Sequence, residues 1–301
     1  LFRSGEIMRI GFFPNMGKPE IADIMARAAK CCQDQGIEVW LPKDLVHYGL
    51  AETLGVPPEH IKPRPDIFKE LDMAFSFGGD GTIIHLARQI YTYGVPICGI
   101  NLGELGFLNQ IELDDMEERI EKIARGDYRV ENRIHLAAEI RKADGTTKQL
   151  TPIINEVVVT RSEPGKMARI NLFINEGYTQ MYPADGLIVS CSTGSTGYNL
   201  SAGGPIMAPD NHSIIVTPIA PHLLQSVSLL LKESARIDLT MPERQPSLHI
   251  CIDGTFDYDF TNKDTLHIEA SPAYCRYVRF YDKKFFATLF RKLSARREEI
   301  L

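Results

Sequence analysis

Three glycines flank a single carboxylate at Gly78-Gly79-Asp80-Gly81-Thr82, and a hydroxyl closes the segment. Glycine removes Cβ atoms where a backbone turns, so N–H groups there can approach phosphate oxygens closely. A carboxylate beside phosphates is repulsive unless a proton or a cation makes use of it. Phosphoryl transfer offers both uses. Asp80 can accept the proton of an attacking hydroxyl, or it can position Mg²⁺. No lysine follows, so the segment is not a Walker A loop. The plain alternative is an Asp-Gly turn that caps a helix.

Two further segments carry polar groups in unusual places. Ile153–Val159 is apolar except for Asn155-Glu156. Burying that pair unpartnered would cost on the order of several kcal/mol, so the two side chains need protein or ligand partners. An asparagine amide offers a donor and an acceptor, which suits the edge of a nucleobase. Farther on, Asp185-Gly186 leads through an apolar run into Ser192–Pro205, rich in glycine and hydroxyls. Small residues permit close approach of a ligand, and Tyr198 could stack on a base. A long structureless loop is an uncommon way to spend so many residues in a compact domain.

The elements that must position these segments change character along the chain. Up to about residue 127, strand and helix patterns alternate. Met8–Phe13, Ile37–Leu41, Met73–Phe77 and Val95–Ile100 read as strands, and 19–35, 82–91 and 114–125 as helices. That order predicts an α/β N-terminal domain with a parallel sheet, and it places Gly78 at the C-terminal end of a strand, where such sheets bind ligands. From 128 to 281 strand patterns follow one another with little helix, which predicts an all-β, sandwich-like C-terminal domain. Residues 282–301 read as a helix with an apolar stripe at Phe286, Leu289, Phe290 and Leu293. Such a stripe suits packing back on the N-terminal domain, or else a membrane surface or partner.

Composition narrows the classes. The 301 residues carry a net charge of −6, so no global basic field attracts nucleic acid. No apolar run reaches the roughly 18 residues of a membrane-spanning helix, and Leu1–Gly5 is too short and polar for a signal peptide. The six cysteines show no metal-ligand spacing and mostly sit in apolar runs, which predicts reduced thiols and a cytoplasmic setting.

Taken together and in this order, the three segments resemble the NAD kinase family, from about Arg9 to Leu293. Gly99-Ile100-Asn101-Leu102-Gly103-Glu104-Leu105-Gly106-Phe107-Leu108, Arg133, Pro218-Ile219-Ala220-Pro221-His222 and Asp253-Gly254 extend the resemblance. It implies transfer of the γ-phosphate of ATP, or of another donor such as polyphosphate, to the 2′-hydroxyl of the adenosine ribose of NAD. It also implies a divalent metal, Mg²⁺ carried on the donor phosphates, and a homodimer or homotetramer. On this resemblance Asp80 is the general base, and Gly78, Gly79, Gly81 and Thr82 frame the phosphates. Gly81 and Phe107 adjoin NAD, Phe107 at its adenine. Asn155 and Glu156 match residues at adenine and ribose, with Thr196, Tyr198 and Ser201 as further adenosine contacts. Asp185 matches a contact to the other half of NAD, and Ala220 and His222 lie near the nicotinamide.

The chain departs from the family pattern at Leu223-Leu224-Gln225-Ser226-Val227-Ser228, where Thr-Leu-Ser-Asn-Arg-Pro is frequent. It departs also at Glu104 and at Gly197, where alanine is usual. Two other readings remain: a lipid kinase of the diacylglycerol or sphingosine type, which shares the glycine-rich segment, and an NAD(H)-binding sensor without turnover.

Overall fold

The computed structural model describes residues 7–103, 106–150, 152–163, 165–223 and 226–298. Glu104, Leu105, Leu224 and Gln225, four of the positions weighed above, lie outside the described residues. The chain divides into two compact units, one running to Asn132 and resuming at Cys275, the other spanning Arg133–Tyr274.

The first unit is built on a seven-stranded sheet in the order Ile61–Lys62, Glu38–Pro42, Arg9–Pro14, Met73–Gly78, Ile97–Asn101, Cys275–Arg279, Arg129–Arg133. The pairings of Arg9–Pro14 with both neighbours, and of Met73–Gly78 with Ile97–Asn101, are parallel. Every residue of Met73–Gly78 is buried. A strand covered on both faces has no polar side to present, which is why this segment is apolar apart from Ser76. The helix Ile21–Asp34 buries Ile21, Ile24, Met25, Ala28, Ala29 and Cys32, a spacing that lines one helical face. These residues pack with Phe12, Phe75, Phe77, Ile120 and Ile123 in one core, where a fully buried Phe or Ile contributes about 1.5–3 kcal/mol. Gly36 stops that helix with φ 72°, its N–H reaching the Gln33 carbonyl at 2.9 Å.

The boundaries differ from those read in the sequence. Cys275–Arg279 joins the first sheet, with Tyr277 opposite Ile97, and Val278 and Phe280 enter the first core. The all-β unit therefore ends at Tyr274 rather than 281. A short apolar run shows that a strand exists but not which sheet receives it. The proline-rich segment 57–65 contains the short strand Ile61–Lys62 and the start of the helix Arg64–Ile67. In the C-terminal helix Phe285–Glu298, Leu289 is buried, whereas Phe286 and Phe290 stay more than half exposed.

The second unit is a sandwich of two six-stranded sheets. One runs Gly177–Ala184, Ala168–Ile174, Ile237–Thr240, Thr265–Ala270, Leu136–Arg141, Thr147–Gln149. The other runs Leu229–Lys232, Ser213–Ile219, Gly186–Ser190, Glu156–Arg161, Leu248–Ile252, Phe256–Phe260. All their described pairings are antiparallel. Leu172, Leu239 and Ile268 from the first sheet meet Val157, Val189 and Ile250 from the second in one core. The ends of this unit are stitched together, Ser271 N–H donating to the His135 carbonyl at 2.8 Å.

Candidate active site

The buried strand Met73–Gly78 runs into the helix Asp80–Ile90 with only Gly79 between them. The turn is tight enough that a Cβ on Gly78 would collide with the side chain of Thr82. A Cβ on Gly79 or Gly81 would meet no protein atom within 4 Å. Gly78 is thus glycine for packing, while Gly79 and Gly81 border open space. That space is a cleft of about 510 Å³ lined by Pro14, Asn15, Met16, Gly79, Gly81, Thr82 and His85. The first N–H groups of a helix lack intrahelical partners, so the helix start bordering this cleft suits an anionic oxygen.

Asp80 occupies the first helical position, and the loop after Ile97–Asn101 holds its carboxylate. Phe107 N–H donates to Oδ2 at 2.7 Å; Leu108 N–H and Asn109 Nδ2 donate to Oδ1 at 3.1 and 3.2 Å. Phe107 is in turn fixed from both sides. Its carbonyl accepts from Arg279 Nη1 at 3.4 Å, and the Lys292 ammonium lies 4.0 Å from its ring centre. The first unit therefore brings together Gly78, Gly79, Asp80, Gly81, Thr82 and Phe107. The sequence reading passed over Asn15 and His85, which line the cleft, and Asn109, which touches Asp80. The Asn15 N–H bonds to the Phe77 carbonyl at 2.9 Å, tying the end of the first strand to the turn.

In the second unit the strand starts at Glu156, three residues after the apolar run opens at Ile153. Asp253 explains the shift. Its carboxylate accepts the N–H groups of Ile154, Asn155 and Glu156 at 2.9, 2.8 and 3.0 Å, turning the chain before the ladder begins. Asp253 itself sits in a left-handed conformation, φ 46°. Glu156 is 6% exposed, and its Oε2 has no hydrogen-bond partner among the described residues. Burial, and then the nearby Asp253 carboxylate, push its carboxyl up to about 8. The Oε2 atom faces Gly197, where an added Cβ would lie 3.4 Å away.

The glycine-rich stretch is not a structureless loop. It forms the short turns Gly194–Thr196 and Tyr198–Ser201. A Cβ on Gly194 would strike the Asn155 backbone, and the Asn155 carbonyl accepts Cys191 N–H and Ser190 Oγ, both at 3.1 Å. Asn199 is fully buried and ties the stretch to Thr217, whose hydroxyl donates to its Oδ1 at 2.7 Å. Asn155, Glu156 and Thr196 are thus gathered at one end of the strand Gly186–Ser190, with Tyr198 and Ser201 exposed just beyond.

The other end of the same strand carries Asp185, Ala220 and His222. Asp185 pairs with Arg161 Nη1 at 3.0 Å, and its N–H bonds to the Ile219 carbonyl. His222 N–H donates to the Pro183 carbonyl at 2.8 Å, and Ala220 has φ 43°. A five-residue strand separates the two groups by roughly 15 Å.

Comparison with known proteins places these features in a family. Residues 10–128 match the model of the ATP-NAD kinase N-terminal domain, and 154–280 that of the ATP-NAD kinase C-terminal domain. An NAD kinase of a Thermoanaerobacter species is 35% identical over 288 residues, 96% of this chain and 99% of that one. The NAD kinase of Heliobacterium modesticaldum is 33% identical over 95% of this chain and 98% of its own. Two solved structures share the fold: yeast NADH kinase complexed with NADH (TM-score 0.82, 21% identity, 97% of this chain and 89% of that one) and an NAD kinase from Archaeoglobus fulgidus in complex with ATP (TM-score 0.71, 24% identity, 95% and 99%). The matches run through both units and include the segments that carry the candidate site, and the chain belongs to the NAD kinase family.

Proposed function

We propose that the protein transfers the γ-phosphoryl group of ATP to the 2′-hydroxyl of the adenosine ribose of NAD, giving NADP. The observation that carries this reading is the Asp80 carboxylate, held by three donors at a helix start beside an open cleft. Asp80 accepts the hydroxyl proton. Gly78, Gly79, Gly81 and Thr82 frame the donor phosphates, and backbone N–H groups offset the charge that develops on them. Phe107, whose N–H orients Asp80, lines the adenine.

In the second unit the unpartnered Glu156 oxygen is a ready acceptor for a ribose hydroxyl. Asn155, Thr196, Tyr198 and Ser201 complete the adenosine side, while Asp185, Ala220 and His222 serve the other half of the dinucleotide. The roughly 15 Å between the two groups suits the length of a dinucleotide.

Among the described residues no group of three or more His, Cys, Asp or Glu side chains converges to hold a metal. A divalent cation, Mg²⁺, would take its ligands mainly from the donor phosphates and would neutralise phosphate charge there. A homodimer or homotetramer in the cytoplasm completes the proposal. The free thiols, four of them buried, are compatible with a reducing compartment.

The test is a coupled assay for NADP from NAD, ATP and Mg²⁺. Turnover should fall by about 10²–10⁴-fold in Asp80→Asn while calorimetric NAD affinity stays within a few-fold of wild type. Binding of NAD and ATP without any NADP would instead identify a sensor, and labelled phosphate on diacylglycerol a lipid kinase.

A further inference from the structure

We infer that Asn109 is a positioning residue that selects which oxygen of Asp80 takes the substrate proton. A carboxylate oxygen offers about two lone-pair sites. Oδ1 of Asp80 accepts from both Leu108 N–H and Asn109 Nδ2, so it is saturated. Among the described residues Oδ2 accepts from Phe107 N–H alone, which leaves it one open site. The proton of an attacking hydroxyl goes to Oδ2.

Several observations show that Asn109 is held for this contact at some cost. The side chain is 6% exposed, and its own Oδ1 is buried without a partner among the described residues. Turning the amide over would set that oxygen against the carboxylate, so the unpartnered orientation is the one the neighbouring charge enforces. The surroundings are cut to fit. A Cβ on Gly106 would overlap the Asp80 carboxylate and come within 2.7 Å of Asn109 Nδ2, and a Cβ on Gly99 would lie 2.5 Å from Asn109 Oδ1. The backbone on the far side is fixed as well, Gln110 and Ile111 N–H groups both donating to the Gly99 carbonyl at 3.0 Å.

This inference rests on the proposed reaction, and the experiment separates the two. Asn109→Leu keeps the approximate shape and removes the donor. It is made in the wild-type and in the Asp80→Asn background, and kcat and KM are measured for NAD and ATP. Wild-type protein forming no NADP would fail the proposed function itself. With turnover established, Asn109→Leu should lower kcat about 10- to 100-fold, the size expected for one charge-assisted hydrogen bond, with both KM values within twofold. In the Asp80→Asn background it should cause no further fall. An equal fall in both backgrounds, a rise in KM alone, or an unchanged kcat overturns the inference. Where the leucine variant fails to fold, Asn109→Ala in the same two backgrounds gives the same comparison.

Discussion

Glu156 and Asp253 exchange backbone for side chain: the Asp253 carboxylate accepts the Glu156 N–H at 3.0 Å, and the Asp253 N–H returns to the Glu156 carbonyl at 3.1 Å. Two carboxylates are thereby held near one another in a mostly dry place. The cost falls on Glu156, whose carboxyl rises from 4.5 to about 8, first through burial and then through Asp253. Between those values the folded chain keeps a proton that the unfolded chain releases. Stability therefore falls as pH rises through this window. His135 acts in the opposite sense. Burial lowers it from 6.5 to about 4, so its neutral form is favoured on folding and its contribution is lost as pH falls below 6.5. From pH 6.5 to 8 the Glu156 slope stands alone of the two. Urea unfolding should show a loss of about 1–2 kcal/mol across that interval, and Glu156→Gln should flatten it. A wild-type curve that rises with pH there would refute the assignment.

Removing the Asp253 side chain is expected to harm the fold as well as the site. Asp253→Ala strips the acceptor from three N–H groups at once. Each unsatisfied buried donor costs about 1–3 kcal/mol, so the melting temperature should drop by many degrees. Asp253→Asn keeps one acceptor oxygen and should lose markedly less. Thermal unfolding followed by circular dichroism ranks the pair, and equal losses would mean that the carboxylate is not the anchor.

Gly81 offers a case where stability and turnover should part. It lies in the first turn of the helix Asp80–Ile90, and a Cβ there meets no protein atom within 4 Å. Gly81→Ala should therefore stabilise the fold by up to about 1 kcal/mol, because alanine is the better helix former. The same methyl intrudes on the proposed phosphate site, so KM for ATP should rise at least tenfold. A variant that is both more stable and fully active would move the phosphates elsewhere.

Gly197 tests the proposed ribose site in the second unit. Its backbone lies at φ −91° and ψ −133°, outside the main α and β regions, so a residue with a Cβ must shift it somewhat. Gly197→Ala adds a methyl 3.3 Å from the Gly194 carbonyl oxygen and 3.4 Å from Glu156 Oε2; it should cost some stability but leave KM for NAD within about twofold. Gly197→Leu fills the space in front of that oxygen and should raise KM for NAD tenfold or more, with KM for ATP unchanged. Parallel changes in both constants would argue for a general distortion.

Local patterns carried the α/β and all-β divisions, because buried parallel strands and one-face helices have distinct periods. Asp80 stood out through its glycines, and Glu156 through polarity inside an apolar run. The missed pieces depend on groups far away in sequence. Asp253 sets the start of the Glu156–Arg161 strand from 97 to 99 residues away, and nothing near Ile153 announces it. Asn109 reaches Asp80 across 29 residues from a segment that looks like an ordinary strand exit. Gly177–Ala184 carries little strand signal because its first four residues are exposed and present no apolar alternation. It is held in its sheet by a hairpin through Asn175 and Glu176, at φ 51° and 69°, without the glycine that usually marks such a turn.

The place of Cys275–Arg279 between Ile97–Asn101 and Arg129–Arg133 bears on how the chain is made. The first sheet cannot close until nearly the whole polypeptide has left the ribosome. The sandwich, whose strands are contiguous and whose ends are already joined at His135 and Ser271, can fold before that. During synthesis the strand beside the one that bears the glycine-rich turn must wait with one neighbour missing from its sheet. Nascent chains halted before residue 275 should leave Ile97–Asn101 with an open edge, the kind of surface that chaperones cover.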